Sequence, residues 1–218
     1  MVRLERVSKL YRRRHGDVKA LDDVSIHVKE GEFVVVRGPS GSGKTTLLFC
    51  MGGMLRPTEG QVIADGKDIY DMSKRERTKF RAEKIGFVFQ MFHLVPYLNL
   101  VDNMLLPSGA GSARSRLEDA EELLEWLNLK DRMYHKPSEL SAGEKQRTAM
   151  ARAMLKHPKI ILADEPTGNL DPENSKEITE HLAEFQQRGG TVIVVTHGAE
   201  VDQYADHIFY LKNGQIER

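Results

Sequence analysis

Residues 33–49 read FVVVRGPSGSGKTTLLF, a segment that predicts a strand, a glycine-rich loop and a helix in succession. The apolar run Phe33–Val36 shows no polar alternation, which is typical of a strand buried on both faces. The segment that follows fits the pattern G-x-x-x-x-G-K-[ST] and leads into a helix start at Thr46–Phe49. A flexible glycine turn is the alternative. The strand before the glycines and the helix after them favour a phosphate-binding loop.

Residues 38–46 are called the phosphate loop below. Glycines let such a loop curl, so that its backbone N–H groups point at phosphate oxygens beside the positive end of the next helix. We expect Lys44 to reach the β- and γ-phosphates of a nucleotide and the Thr45 hydroxyl to bind Mg²⁺. The candidate nucleotide-binding residues are Gly38, Pro39, Ser40, Gly41, Ser42, Gly43, Lys44, Thr45 and Thr46.

The composition is that of an ordinary globular protein. Among 218 residues, 40% are hydrophobic and 29% are charged, which excludes a disordered chain. The 32 basic residues balance the 32 acidic ones, so we expect no nucleic-acid partner. A single cysteine, Cys50, excludes an intrachain disulfide and fits a reducing compartment. We expect no signal peptide, and no apolar run approaches the roughly 18 residues that span a bilayer.

Three further apolar segments resemble Phe33–Val36: Ile85–Phe89, Ile160–Ala163 and Thr191–Val195. Helical patterns separate them, so the sequence predicts an α/β fold with a parallel sheet. Hairpin patterns at 61–69 and 207–216, and alternating stretches at 2–11 and 21–28, predict antiparallel additions to that core. Leucines at helical spacing within 112–157, after a linker at 109–112, predict an inserted helical subdomain.

Two adjacent carboxylates, Asp164 and Glu165, end the apolar strand that begins at Ile160. Neighbouring side chains at a strand end point in different directions, so the two acids can do different work. We expect Asp164 to bind Mg²⁺ and Glu165 to act on the attacking water as a catalytic base or orienting group. A solvated acidic turn is the alternative, which Lys44 upstream disfavours.

Gln90 and His197 each follow a predicted parallel strand. Ligands of open parallel sheets bind beyond the carboxyl ends of the strands, so both residues are predicted to lie near the phosphate loop. We expect Gln90 to link the metal and the water to a moving segment, and His197 to donate to the γ-phosphate. Each alone is more often a surface or cap residue.

Ser141 and Glu144 form a capping-box pattern at the start of another helix. The simpler interpretation is a capped helix with no role in binding. Between them, Ala142 and Gly143 leave the first turn without bulky side chains, which suits an anion. Because the chain already has one phosphate loop, this second helix start predicts contact with the nucleotide of a partner.

These motifs together resemble the ATP-binding subunit of ABC transporters over nearly the whole chain. In the terms of that family they are Walker A at 38–46, the Q-loop at Gln90, the signature at Leu140–Glu144, Walker B at 160–165, the D-loop at 168–171 and the switch histidine His197. The resemblance implies a P-loop NTPase (RecA-like) core. We expect one ABC ATPase domain, 1–218, with the α/β core at 1–92 and 158–218 and the helical subdomain at 93–157.

The resemblance also implies ATP and Mg²⁺ as cofactors and a head-to-tail dimer. In that dimer Ser141, Ala142, Gly143 and Glu144 would bind the ATP of the other copy. Tyr11 would stack on adenine, while an aromatic packed at a strand end is the alternative. An integral-membrane permease would dock near Gln90–Leu98, placing the chain in the cytoplasm on the inner face of the cell membrane. Ordinary packing between the core and the helical subdomain is the other explanation for that apolar segment.

A finer resemblance joins the chain to lipoprotein-releasing, macrolide-export and cell-division ATPases. It rests on the segments 47–53, 85–90, 94–96 and 166–171. The family signature usually reads LSGGQ, whereas Ala142 and Glu144 stand here. The methyl group of Ala142 would lie where the partner's γ-phosphate approaches, which predicts a looser dimer or slower turnover. The alternatives are an ATP-sensing regulatory module and a non-transport ABC ATPase.

Overall fold

The protein, described by a computed structural model over residues 1–12, 16–109 and 117–217, alternates strands and helices. Its strands are β1 (Val2–Tyr11), β2 (Val18–Val28), β3 (Phe33–Arg37), β4 (Glu59–Ala64), β5 (Lys67–Asp68), β6 (Ile85–Phe89), β7 (Ile160–Asp164), β8 (Thr191–Thr196), β9 (His207–Lys212) and β10 (Gln215–Glu217). Its α-helices are α1 (Lys44–Met51), α2 (Lys74–Lys84), α3 (Leu100–Leu105), α4 (Leu117–Trp126), α5 (Ala142–Met154) and α6 (Pro172–Gln187).

The strands form two sheets. The larger one has the order β10-β9-β3-β8-β7-β6, in which all neighbours from β9 to β6 run parallel. The smaller, antiparallel sheet has the order β2-β1-β4-β5. The predicted α/β class, with a parallel core and N-terminal antiparallel strands, is confirmed.

The hairpin predicted at 207–216 differs from expectation in one respect. Its first strand, β9, pairs in parallel with β3, so it belongs to the central sheet and is not only an addition to it. The carboxylate of Asp206 accepts a hydrogen bond from the backbone N–H of Phe33 at 2.7 Å. This long-range bond aligns β9 beside β3.

Two hydrophobic cores lie on opposite faces of the parallel sheet, because side chains alternate along a strand. In β3, Val34 and Val36 pack into a core shared with α1 and the antiparallel sheet. Phe33 and Val35 face the other core, which contains apolar side chains from α3, α4, α5 and α6. The phosphate-loop helix α1 therefore lies between the two sheets.

The helices within 93–157 pack in the second core together with strand residues. Leu100, Leu124 and Met150 are all buried there. The predicted amphipathic helix is present as α4, while residues 110–112 of the predicted linker lie outside the described residues. The subdomain boundaries stay a prediction. Over the described ranges, none of the helices combines the length and the apolar character that crossing a bilayer requires.

Candidate nucleotide-binding and hydrolysis site

The phosphate loop joins the end of β3 to the start of α1 and is shaped by close backbone contacts. Gly41 and Gly43 have φ values of 78° and 107°, in the left-handed region that favours glycine. A Cβ atom at Gly43 would lie 2.2 Å from the carbonyl oxygen of Ala20, and one at Gly38 would lie 2.1 Å from that of Leu211. Glycine is therefore required at positions 38 and 43 by space.

The start of α1 is open to an anion. No side chain caps it, and its first turn contains no acidic residue. The first N–H groups of a helix have no partner inside the helix, and they carry the positive end of its dipole. Beside them the buried hydroxyl of Ser42 makes no hydrogen bond. These unpaired donors fit the phosphate groups of a nucleotide.

Lys44 places a fixed cation at the base of the loop. Its ammonium group donates to the carbonyl oxygens of Gly38 and Pro39 at 2.7 and 3.2 Å. It also forms an ion pair with Glu165, with 3.4 Å between Nζ and Oε1. Only 8% of the Lys44 side chain is exposed, so its charge is held within reach of a bound phosphate.

The two carboxylates at the end of β7 point to different partners, as predicted. Asp164 accepts a hydrogen bond from the Thr45 hydroxyl at 3.1 Å, and burial raises its pKa. Glu165 turns towards Lys44 instead, with a φ of 47°. Such a left-handed conformation is strained for a residue with a side chain and is common at functional sites.

Glu165 is held in position by the end of β8. Its Oε2 accepts hydrogen bonds from the Thr196 hydroxyl at 3.0 Å and from the backbone N–H of His197 at 3.2 Å. The ring Nδ1 of His197 lies 2.9 Å from the same oxygen. Burial alone would raise the pKa of Glu165, but these hydrogen bonds outweigh it and lower the pKa. Glu165 is therefore ionised at neutral pH.

Thr45 and Asp164 form a donor set that suits Mg²⁺. Magnesium binds oxygen ligands, and it commonly uses one or two protein carboxylates together with water and substrate phosphates. The residues covered by the structure contain no group of three or more His, Cys, Asp or Glu that could hold a metal alone. The hydroxyl and carboxylate pair thus fits an ion that also binds the nucleotide.

Gln90 contacts the D-loop segment, residues 168–171. Its side-chain nitrogen lies 3.4 Å from Oδ1 of Asn169, whose own nitrogen donates to the Gln90 carbonyl oxygen at 3.3 Å. In this structure Gln90 is bonded to Asn169 and not to Thr45 or Asp164. The catalytic and metal roles expected for Gln90 stay predictions.

The signature segment, Leu140–Glu144, begins α5 with the predicted capping box. The Ser141 hydroxyl accepts from the Glu144 N–H at 3.2 Å, and the Glu144 carboxylate accepts from the Ser141 N–H at 2.8 Å. Ser141 and Ala142 are exposed, but Gly143 is buried. A Cβ atom at Gly143 would lie 1.8 Å from Oδ1 of Asn174. Packing against Asn174 within the same chain therefore explains why glycine is needed at position 143, which the sequence pattern did not show.

Tyr11 lies at the end of β1, paired with Val18. The ammonium of Lys9 lies 5.5 Å from its ring centroid, which is a cation–π contact. Stacking of this ring on adenine stays a prediction.

Sequence reasoning missed two residues that hold the site together. Thr196 donates a hydrogen bond to Glu165, and its position at a strand end, directly before His197, could have indicated a role in the site. Gln146 is fully buried in α5 and donates to the carbonyl oxygens of Phe89 and Pro166 at 3.3 and 2.7 Å. Nothing in the sequence indicated that Gln146 is buried, because a glutamine in a helix normally faces solvent.

The fold and this geometry define a P-loop nucleotide-binding protein with the groups needed for phosphoryl transfer to water. The profile of the ABC transporter family matches residues 21–168. The chain belongs to the ABC transporter family, as an ATP-binding subunit with an ATPase site.

Individual relatives agree with this assignment. The ABC transporter ATP-binding protein MJ0796 of Methanocaldococcus jannaschii is 44% identical over 225 residues, covering 100% of this chain and 96% of the relative. Its dimeric structure in a post-hydrolysis state with ADP and Pi matches with a TM-score of 0.92 at 43% identity, over 100% of this chain and 97% of that one.

Two further relatives have more specific names. The lipoprotein-releasing system ATP-binding protein LolD 2 of Caulobacter vibrioides is 41% identical over 98% of this chain and 95% of its own length. The macrolide export ATP-binding/permease protein MacB of Chlorobaculum tepidum is 42% identical over 99% of this chain, but the match spans 33% of the relative.

Proposed function

We propose that the chain is the ATP-hydrolysing motor of a membrane transporter and acts as a head-to-tail dimer on an integral-membrane permease at the inner face of the membrane. One observation carries this proposal. Lys44, Glu165 and His197 share one network, whereas no hydrogen bond or ion pair between described residues joins the signature segment to the phosphate loop. A second copy would bring its own signature segment to the nucleotide. The dimeric form of the MJ0796 relative, bound to ADP and Pi, supports a dimer.

The chemistry follows from the positions of the charges. Glu165, ionised and 3.4 Å from Lys44, orients a water molecule and takes its proton as the water oxygen bonds to the γ-phosphorus. The bond between the γ-phosphorus and the bridging oxygen of ADP breaks, and Lys44 offsets the charge on the phosphates. Mg²⁺ held by Thr45 and Asp164 would supply further charge neutralisation.

His197 can serve both the carboxylate and the phosphate. Its Nδ1 is occupied by Glu165, and 63% of its side chain is exposed. Because an ionised carboxylate can only accept, Nδ1 carries a proton, and the other ring nitrogen can donate to the γ-phosphate in the imidazolium form, which has a proton on each nitrogen.

The permease would dock beside the segment Gln90–Leu98. A groove of about 350 Å³ is lined there by Phe87, Phe89, His93, Arg152 and other residues. Arg152 donates to the carbonyl oxygens of Phe92 and His93 at 2.9 and 2.7 Å, which fixes the backbone of this segment. In the same segment of the chain, Met91 and Tyr97 are 67% and 75% exposed. Exposed apolar side chains beside a groove are typical of a protein-binding surface.

The names of the relatives favour an export, lipoprotein-extraction or mechanotransmission role. MacB carries ATP-binding and permease functions in one polypeptide, and LolD 2 belongs to a lipoprotein-releasing system. We propose that this chain serves the same kind of permease as a separate subunit.

Glu165→Gln tests the motor and the dimer together. The variant should bind ATP, release phosphate at least about a hundredfold more slowly because it lacks the base, and accumulate as an ATP-bound dimer. Phosphate release and light scattering measure the two effects. Lys44→Ala in the same background is the control, since it should weaken ATP binding and, with it, ATP-driven dimer formation. Turnover of Glu165→Gln at the wild-type rate would contradict the proposal.

An ATP-sensing module with little turnover is the second candidate, and Ala142 favours it. This residue is exposed at the first position of α5, so its methyl group lies on the surface that a partner's nucleotide would approach. Phosphate release measured beside nucleotide binding separates the two candidates. A sensor would bind ATP and release almost no phosphate even when concentrated.

A further inference from the structure

We propose that Asn174 is a positioning residue for ATP hydrolysis, which fixes the start of α5, and with it the signature segment, against the start of α6 in the same chain. The inference rests on the proposed function, in which the signature segment of one copy contacts the nucleotide of the other copy. It assigns a role to a residue that lies outside the nucleotide-binding and catalytic motifs.

The first observation is a close contact between Asn174 and the signature backbone. A Cβ atom at Gly143 would lie 1.8 Å from Oδ1, 2.4 Å from Cγ and 3.1 Å from Cβ of Asn174. Gly143 has ordinary helical backbone and is buried, so its need for glycine comes from the neighbouring side chain and not from its φ value. Asn174 therefore sets how near the first turn of α5 lies to α6.

The second observation is that Asn174 is itself held on both sides. Its Nδ2 donates to Asp171 Oδ2 at 2.6 Å, and Asp171 is the residue that caps α6. Its Oδ1 accepts from Arg147 Nη1 at 3.2 Å. Arg147 also bonds to Glu177, and its side chain is only 11% exposed. A side chain with partners at both ends of its amide cannot turn freely.

These contacts connect the D-loop segment to the signature segment. Asp171 ends the D-loop segment, and Arg147 lies one helical turn after Gly143 in α5. A shift of the D-loop segment is therefore passed through Asn174 to the exposed Ser141 and Ala142. In the proposed dimer, that shift would move the residues that reach the other copy's nucleotide.

Asn174→Ala tests the positioning role. We expect kcat to fall about tenfold from lost hydrogen bonds, while ATP affinity of the dilute chain is unchanged because the phosphate loop is untouched. Ser73→Ala is the matched control, since Ser73 caps the remote helix α2 by accepting from the Glu76 N–H at 3.3 Å. If Ser73→Ala lowers kcat as much as Asn174→Ala, or if Asn174→Ala leaves kcat intact, the inference is wrong.

A double-mutant cycle tests whether the close contact between Gly143 and the Asn174 side chain positions α5. Gly143→Ala should lower kcat about a hundredfold, because misplacement by about 1 Å is enough for such a loss. In Gly143→Ala/Asn174→Ala the nearest remaining atom is Cβ at 3.1 Å, so kcat should rise towards that of Asn174→Ala. A double variant no more active than Gly143→Ala would overturn the steric argument. Circular dichroism checks folding, and if Gly143→Ala does not fold, recovery of folding in the double variant is the readout.

Dimer formation separates this inference from the proposed function. Glu165→Gln should dimerise with ATP, and Glu165→Gln/Asn174→Ala should need about tenfold more protein to do so, as one lost positioning contact implies. If Glu165→Gln alone fails to dimerise, the proposed function fails. If both variants dimerise equally well, the role of Asn174 fails while the proposed function stands.

Discussion

The two helix starts that the nucleotide would meet, those of α1 and α5, are built in opposite ways. The first turn of α1 has no cap and no acidic residue, and Lys44 lies at its first position. In α5, Ser141 caps the N–H of Glu144, and the Glu144 carboxylate returns to the Ser141 N–H. The start of α1 leaves its backbone donors uncapped, whereas the start of α5 pairs two of its backbone N–H groups, those of Ser141 and Glu144, within the chain.

This difference shows which helix start can bind phosphate by itself. A helix end with unpaired N–H groups attracts anions, whereas an acidic residue in the first turn offsets the positive end of the dipole. The backbone hydrogen bond from Ser141 lowers the pKa of Glu144, so the negative charge is present at neutral pH. We therefore expect α1 to bind nucleotide alone and α5 to contribute only in a dimer.

The largest expected effect comes from Lys44→Ala. It removes the cation at α1, and we expect ATP to bind about a hundredfold more weakly because a charge-assisted contact to phosphate is lost. Nucleotide titration of the dilute chain measures this. Lys44→Arg should not restore binding, since a planar guanidinium does not reproduce the contacts of the compact ammonium with the carbonyl oxygens of Gly38 and Pro39. If the ATP affinity of Lys44→Ala equals that of the wild type, the expected difference between α1 and α5 in binding nucleotide is wrong.

Ser141→Ala should have an intermediate effect at α5. Loss of a helix cap costs about 1 kcal/mol, so we expect turnover to fall about fivefold. ATP affinity of the dilute chain should not change, in contrast to Lys44→Ala. Ser141→Thr keeps a capping hydroxyl and serves as the control. A fall in ATP affinity equal to the fall in turnover would show that α5 binds nucleotide within its own chain.

Glu144→Gln should have the smallest effect and the opposite sign. Glutamine preserves the capping box but removes the charge in the first turn of α5. We expect ATP-driven dimer formation to strengthen about twofold to fivefold at low salt, and the gain to vanish at high salt. Sedimentation of the Glu165→Gln form at two salt concentrations measures it. A weaker dimer in Glu144→Gln would mean that the carboxylate itself makes a favourable contact.

Local sequence patterns predicted much of the fold and of the candidate site. Four unbroken apolar runs became the strands β3, β6, β7 and β8, because burial on both faces leaves a clear signature in sequence. The phosphate loop was readable because its glycines and Lys44 occupy fixed spacings. The different partners of the Asp164 and Glu165 side chains followed from the alternating direction of side chains at a strand end, while their metal and catalytic roles stay predictions.

Contacts between residues far apart in the chain could not be predicted from the sequence. Nothing near Gly143 indicates that Asn174, more than 30 residues away, fills the space beside it. The parallel pairing of β9 with β3 depends on Asp206 and Phe33, which are 173 residues apart. The contact between Gln90 and Asn169 joins two loops in the same way. Such contacts arise from the assembled sheet, and no local period encodes them.

The C-terminal hairpin has a consequence for how the chain can be engineered. Its Leu211 carbonyl borders Gly38, and the Gly214 N–H donates to the Ser42 carbonyl oxygen at 3.0 Å. Gly214 also accepts from the Asp22 N–H at 2.8 Å, tying the antiparallel sheet to the same turn. A deletion that begins at His207 would strip the outer wall from the phosphate loop, and with it the rigidity that shapes an ATP pocket more than 160 residues upstream.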